Sequence, residues 1–272
     1  MPTDLIRKAS TIILYRQHLL PEVYMLQRSP KASFMPNALV FPGGALDEQD
    51  TNQYWQNHAN IDLARKAIPI HNDRLAHSLM VAALRETFEE AGILLTLSQP
   101  KSTRGQDVAR AQLNAGTTTF QQVIESLGLT LDLSALTFIS RWITPKVERR
   151  RFDAYFFLAE APSGDLRESA DGNETLNGRW MSPGAILEAH SARKNQLAPP
   201  TLRALETLNT TPFSQWRNLR RSHANAICPQ LDTNASVPRL VLPNDPAYQP
   251  AGDVINRFER HDSYWTSWGT GF

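Results

Sequence analysis

Three glutamates in the stretch LRETFEEAG, namely Glu86, Glu89 and Glu90, carry the strongest chemical signal in this chain. Their i, i+3, i+4 spacing places them within one turn on one face of a helix. Like charges so placed repel and cost helix stability unless something positive sits among them. Carboxylate oxygens suit hard divalent cations such as Mg²⁺ or Mn²⁺, which keep positions for water and phosphate. A solvated acidic face would explain the same three residues. A second fragment weighs against that reading. In FPGGALDEQD, Phe41–Asp50, a glycine pair is followed by a trail of acids, and glycines let backbone approach a ligand closely.

The elements that must hold these fragments can be read from periodicity. STIILYR (10–16) and EVYMLQR (22–28) are β-rich and joined by a turn-like LLPE, which predicts a hairpin. NALVF (37–41) predicts a short strand ending at Pro42. From His71 to Ala91 the pattern turns helical. Met80, Leu84, Phe88 and Ala91 form one stripe opposite the carboxylates, and Gly92 stands where a C-cap glycine belongs. Ala82 and Ala83 are small enough to leave room for a ligand one turn back. Residues 101–128 are polar with helical patches such as FQQVIESLG and show no nameable chemistry. FISRWIT (138–144) and RFDAYFFLAE (151–160) predict strands, as does Arg179–Met181. Helices are expected from Pro183 to His190 and from Pro199 to about Leu208. Beyond residue 210 no clean periodicity survives, which suggests an extension packed on the domain.

Composition narrows the function classes. The balance is 28 basic to 27 acidic residues, a formal net charge of +1. This gives no general pull toward nucleic acid or a membrane surface. Cys228 is the only cysteine, which excludes an internal disulfide and a cysteine zinc cluster. No apolar run approaches the ~20 residues of a membrane span, and the N-terminal segment lacks the features of a secretory signal. A cytoplasmic setting is the default expectation, and the sequence leaves a homodimer open.

Arg85-Glu86-Thr87-Phe88-Glu89-Glu90-Ala91-Gly92-Ile93 resembles the core of the Nudix box, with Thr87 in a slot that is usually apolar. Gly43-Gly44 resembles the opening glycine of that box. In the usual box a glutamate follows the glycine after five residues and the arginine comes seven later. Here Asp50 stands near the glutamate position, and residues 51–84 then intervene. Counting back from Arg85 puts His77 in the glutamate slot, on the apolar side of the helix. Asp47, Asp50 or neither could replace the glutamate. LQRSPKASFMPNALVFPGGALD, RWITPKVERRRFDAYFFLA and LAPPT are similar to a long-insert Nudix subfamily that includes animal peroxisomal coenzyme A diphosphatases.

The resemblance implies a Nudix αβα sandwich, α+β or α/β in class, with a mixed β-sheet. The Nudix domain would span 8–208 with an insert at about 51–76, and 209–272 would be a C-terminal extension. It also implies a hydrolase that cleaves a diphosphate with Mg²⁺ or Mn²⁺. Glu89 and Glu90 would be the main metal ligands. Glu86 would add a ligand or hold a water at the metal, and Arg85 would orient a glutamate. A backbone carbonyl in Gly43-Gly44 would complete the metal site. Glu174 resembles an acid that serves elsewhere in the family as general base or extra ligand, and it reads equally well as a surface loop residue. Lys146, Arg149, Arg150 and Arg151 would suit the phosphates of coenzyme A, or would form a solvated basic loop. Arg28 is a second phosphate candidate. Tyr54 and Trp55 fit an apolar anchor for the insert better than a base-stacking pair. His71 and His77 read as structural. The expected substrate is coenzyme A or an acyl-coenzyme A, giving 3′,5′-ADP and (acyl-)phosphopantetheine. NADH, ADP-ribose or a nucleotide sugar would be the alternative substrates. A non-catalytic nucleotide sensor ranks last because all three box glutamates are present.

Overall fold

A computed structural model describes residues 6–32, 35–60, 69, 72–98, 102–162, 175–219 and 225–269. In chain order its elements are β1 (Arg7–Gln17), β2 (Pro21–Arg28), β3 (Leu39–Val40), β4 (Gly43–Ala45), α1 (Trp55–His58), α2 (Asp73–Ala91), α3 (Thr103–Asn114) and α4 (Phe120–Leu127). There follow β5 (Thr137–Ile143), β6 (Phe152–Glu160), β7 (Thr175–Met181), α5 (Pro183–Ser191) and α6 (Pro199–Thr210). Five short strands complete the chain: β8 (Ala226–Ile227), β9 (Gln230–Asp232), β10 (Arg239–Val241), β11 (Arg257–His261) and β12 (Tyr264–Trp268).

An eight-stranded mixed sheet runs β3-β2-β1-β6-β5-β8, with β4 paired to β1 and β7 to β2. β1 lies parallel to β6 and antiparallel to β2 and β4. Covering on both faces explains the unbroken apolar run of β1. Ile12 and Leu14 enter the core beneath α2, while Ile13 and Tyr15 enter the core beneath α5 and α6. The same alternation sends Tyr155 and Phe157 of β6 to the first core, and Phe156 and Leu158 to the second. Helices therefore flank the sheet, as the αβα reading expects. Among the described residues no helix is long and apolar enough to cross a membrane.

α2 starts at Asp73, where the Asn72 side chain accepts from the Leu75 amide, and stops where Gly92 turns left-handed at φ 72. The stripe Met80, Leu84, Phe88 and Ala91 is buried in the first core, as its spacing predicts. Each large side chain on it contributes roughly 1.5–3 kcal/mol by leaving water. Ala82 and Ala83 differ from expectation. Both are fully buried against the fold, so their small size serves close helix–sheet approach and leaves no ligand space. The Ser10 hydroxyl donates 2.6 Å to the Leu79 carbonyl at that crossing. Trp55 is fully buried and donates from Nε1 to the Gln49 carbonyl, the anchor role expected of it, and Tyr54 stacks on His58. His71 lies outside the described residues.

The C-terminal residues are more regular than their composition suggests. β9 to β12 form a four-stranded antiparallel sheet, and β8 joins the edge of the main sheet beside β5. Leu240, Leu242 and Phe258 share the second core with Ile13 and Phe156. Arg203 of α6, wholly buried, donates to the carbonyls of Trp268 and Gly269 and to Asn256 Oδ1.

Asp153 ties three adjacent strands. It accepts from Lys8 of β1 and from Arg141 of β5 at 2.7 and 2.8 Å, while only 2% exposed. Burial alone would raise its carboxyl, but the hydrogen bonds of Arg141 and Lys8 hold it below the ordinary 3.8. A depressed acid stabilises the fold above its unfolded pKa and loses that contribution as pH falls through the folded one. Asp153→Asn should therefore lower the urea midpoint at pH 7, and its effect should shrink as the pH falls through the folded pKa. A loss that does not change with falling pH would refute the ionic account.

Candidate active site

The two fragments meet at one guanidinium. Arg85, 5% exposed along its side chain, donates from Nε to Asp50 Oδ1 at 2.8 Å and from Nη2 to Oδ2 at 3.1 Å. Asp50 is wholly buried, so the bidentate pair bridges residues 35 apart inside the protein. The local fold aims it there. Residues Glu48–Thr51 form a single 3₁₀ turn capped by Asp47, whose own amide donates 2.8 Å to Asp50 Oδ2. Asp47 caps the turn, and Asp50, of the two acids, points inward onto Arg85. Burial pushes the Asp50 carboxyl up, offset by Arg85. Burial alone would lower Arg85, yet the Asp50 bond and the charges of Glu86, Asp50 and Glu89 keep it firmly protonated.

The same guanidinium organises the acidic face. Nη1 lies 2.9 Å from Glu86 Oε1 and 3.2 Å from both Glu89 oxygens, and Nη2 donates to the Ala45 carbonyl at 3.0 Å. Glu90 Oε2 accepts from the Gly43 amide at 2.9 Å. The glycine loop thus meets Glu90 through an N–H. A Cβ on Gly44 would overlap the Glu86 carboxyl group, and one on Gly43 would lie 2.7 Å from the Thr11 Cα. Gly43 faces backbone and requires glycine, whereas a side chain at Gly44 would displace the Glu86 carboxylate. Glu86 is pushed up to about 7 because burial outweighs the pull of Arg85, and Glu89 adds repulsion. Burial likewise raises Glu89.

Among the described residues no three His, Cys, Asp or Glu side chains converge as a finished metal cage. Arg85 and the Gly43 amide hold the carboxylates instead. The donors nevertheless fit a hard divalent cation in kind. Three carboxylates share one turn, and the facing backbone at Gly43-Gly44 carries no side chain.

Other predicted residues fall elsewhere. Glu174 lies outside the described residues. Arg149 and Arg150 are exposed in the turn after β5, together with Lys146. Arg151 departs from its expected phosphate role: it is 8% exposed and donates from Nε to the Thr144 carbonyl, so it braces that turn. Arg28 is half-buried at the end of β2, opposite Thr175. His77 sits half-buried on α2, with burial lowering its pKa. Sequence reasoning missed Gln49, which accepts from the Trp55 indole and, through Oε1, from the Phe120 amide at 3.2 Å. It also missed Arg110 and Asn114, whose side chains donate to the Glu89 carbonyl.

Comparison with known proteins decides the family. The model of the NUDT19 Nudix domain matches residues 7–208. The chain belongs to the Nudix family. Among curated relatives, an acyl-coenzyme A diphosphatase NUDT19 from Xenopus laevis is 28% identical over 228 residues, covering 69% of this chain and 59% of its own length. A putative nudix hydrolase 7 from Caenorhabditis elegans is 30% identical over 230 residues, covering 82% and 68%. This Nudix chain therefore spans less than two thirds of the Xenopus relative. Among solved structures, a NUDIX hydrolase from Alicyclobacillus acidocaldarius superposes with a TM-score of 0.65 at 28% identity, covering 81% of this chain and 99% of that one.

Two stability measurements probe the site in the presence of a chelator. Asp50→Asn leaves a buried guanidinium without its main partner and should cost about 3–5 kcal/mol in urea unfolding. A loss under about 1 kcal/mol would show that the pair does not join the halves. Glu86→Gln should do the opposite. A raised acid destabilises the fold once ionised, so the variant should gain on the order of 1 kcal/mol above pH 7 and nothing below pH 4. A variant less stable than wild type at pH 8 would contradict this.

Proposed function

We propose that this Nudix chain hydrolyses the diphosphate linkage of coenzyme A or an acyl-coenzyme A, giving 3′,5′-ADP and (acyl-)phosphopantetheine. The observation that carries the reading is the Asp50–Arg85 pair, which rebuilds an interrupted box in space and sets Glu86 and Glu89 on one guanidinium. The substrate class is supported by the likeness to the acyl-coenzyme A diphosphatase of Xenopus laevis.

Glu89 and Glu90 would hold Mg²⁺ or Mn²⁺, with Glu86 as third carboxylate and backbone at Gly43-Gly44 alongside. When bound, the cation neutralises diphosphate charge and activates water. Arg85 orients the carboxylates of Glu86 and Glu89, and the Gly43 amide orients Glu90. Arg149 and Arg150 would bind substrate phosphate. Arg7 pairs with Phe152, and Ala9 with Ala45, so their turn and the glycine strand lie at the same end of the sheet. Arginine forks match phosphate oxygens there. Glu174 is the candidate general base or extra ligand.

Incubation with Mg²⁺ or Mn²⁺ and a panel of coenzyme A, NADH, ADP-ribose and sugar nucleotides tests the reading. Release of 3′,5′-ADP and 4′-phosphopantetheine from coenzyme A is expected, and cleavage of no substrate would sink it. Glu89→Gln should lower kcat by more than roughly a hundredfold, since even outer partners of a ligand cost 10–100-fold. Its thermal midpoint should barely move. Surviving turnover would reject Glu89 as a ligand.

A further inference from the structure

We propose that Arg110 and Asn114 of α3 are positioning residues that lock the last turn of α2 so that Glu89 is ready for a divalent cation. This rests on the metal-dependent reading above. The last four carbonyls of a helix lack partners within it, and helix ends fray. α2 ends at Ala91, so Glu89 and Glu90 stand in that vulnerable turn. The Gly92 amide takes the Phe88 carbonyl at 2.9 Å, and the next carbonyl, that of Glu89, is left without a helical donor.

Two side chains take it instead. Arg110 donates from Nε at 3.0 Å and Asn114 from Nδ2 at 3.1 Å, both to the one Glu89 oxygen. They are four residues apart and so share a face of α3. The helix itself is seated through Ala109 and Leu113, buried in the same core as Phe88. Glu89 is thereby held at both ends, its carboxylate by Arg85 and its carbonyl by α3. A cation at a helix C-terminus also suits the macrodipole. Charge alone would work against this role, because a guanidinium near the site repels a metal ion. The sign of the effect therefore separates positioning from simple electrostatics.

The test is titration of the full chain with Mn²⁺, followed by the paramagnetic resonance of the free ion, alongside coenzyme A turnover as a function of Mn²⁺. Arg110→Met should raise the Mn²⁺ Kd roughly tenfold, and Arg110→Lys should recover most of the loss. Asn114→Ala should give a smaller loss, while KM for coenzyme A at saturating Mn²⁺ stays unchanged in all three. An unchanged or tighter Mn²⁺ Kd in Arg110→Met overturns the proposal, as does Arg110→Lys no better than Arg110→Met. If Arg110→Met fails to fold, Asn114→Ala at an exposed position decides, and an unaltered Kd there overturns it. Wild type that binds Mn²⁺ but cleaves none of the panel removes the hydrolase reading and leaves the clamp to be judged on Kd. Wild type that binds no Mn²⁺ overturns both.

Discussion

The guanidinium of Arg85 is the constraint on which the rest of the site depends. Its donors meet Asp50, Glu86, Glu89 and the Ala45 carbonyl, drawn from three separate segments. A buried cation is tolerated only with partners of this quality, and here the partners outnumber it. Asp50, Glu86 and Glu89 oppose one positive charge, leaving two negative charges in excess when all three ionise. Glu90 on the same helical turn raises the excess to three. Burial is the main reason that Glu86 is raised, with repulsion from Glu89 adding to it.

The same pair explains how the box survives its interruption. Chain inserted between Asp50 and Arg85 must leave and return without shifting either. Loop closure entropy grows slowly, about 0.6 kcal/mol per doubling of length, so the ends matter far more than the span. Those ends are fixed on independent footings. Gln49 is bonded to both Trp55 and Phe120, which fastens the departing turn to the core. The returning helix is fastened by its own apolar stripe.

The strands and α2 were legible because burial imposes a period on side chains, as in β1, β6 and the stripe from Met80 to Ala91. The acidic face was legible because repulsion at that spacing needs a reason. Asp50 was harder. Asp47 and Asp50 are alike in type, and only the 3₁₀ turn decides which one faces inward. Arg110 and Asn114 left no trace because their target is a backbone carbonyl, which every residue possesses. Ala82 and Ala83 misled for a related reason, since small size says nothing about whether a ligand or a strand fills the gap. The C-terminal strands escaped notice because segments of two to five residues are too short to show a period.

Arg203 reaches out of the segment that matches the family to grip carbonyls at positions 268 and 269. Of the three groups to which it donates, two are main-chain carbonyls, so the attachment constrains chiefly where the returning chain runs. A tail held in this way can drift in sequence while keeping its course. The family model ends at residue 208, while the packing of the second core continues past it through Leu240, Leu242 and Phe258.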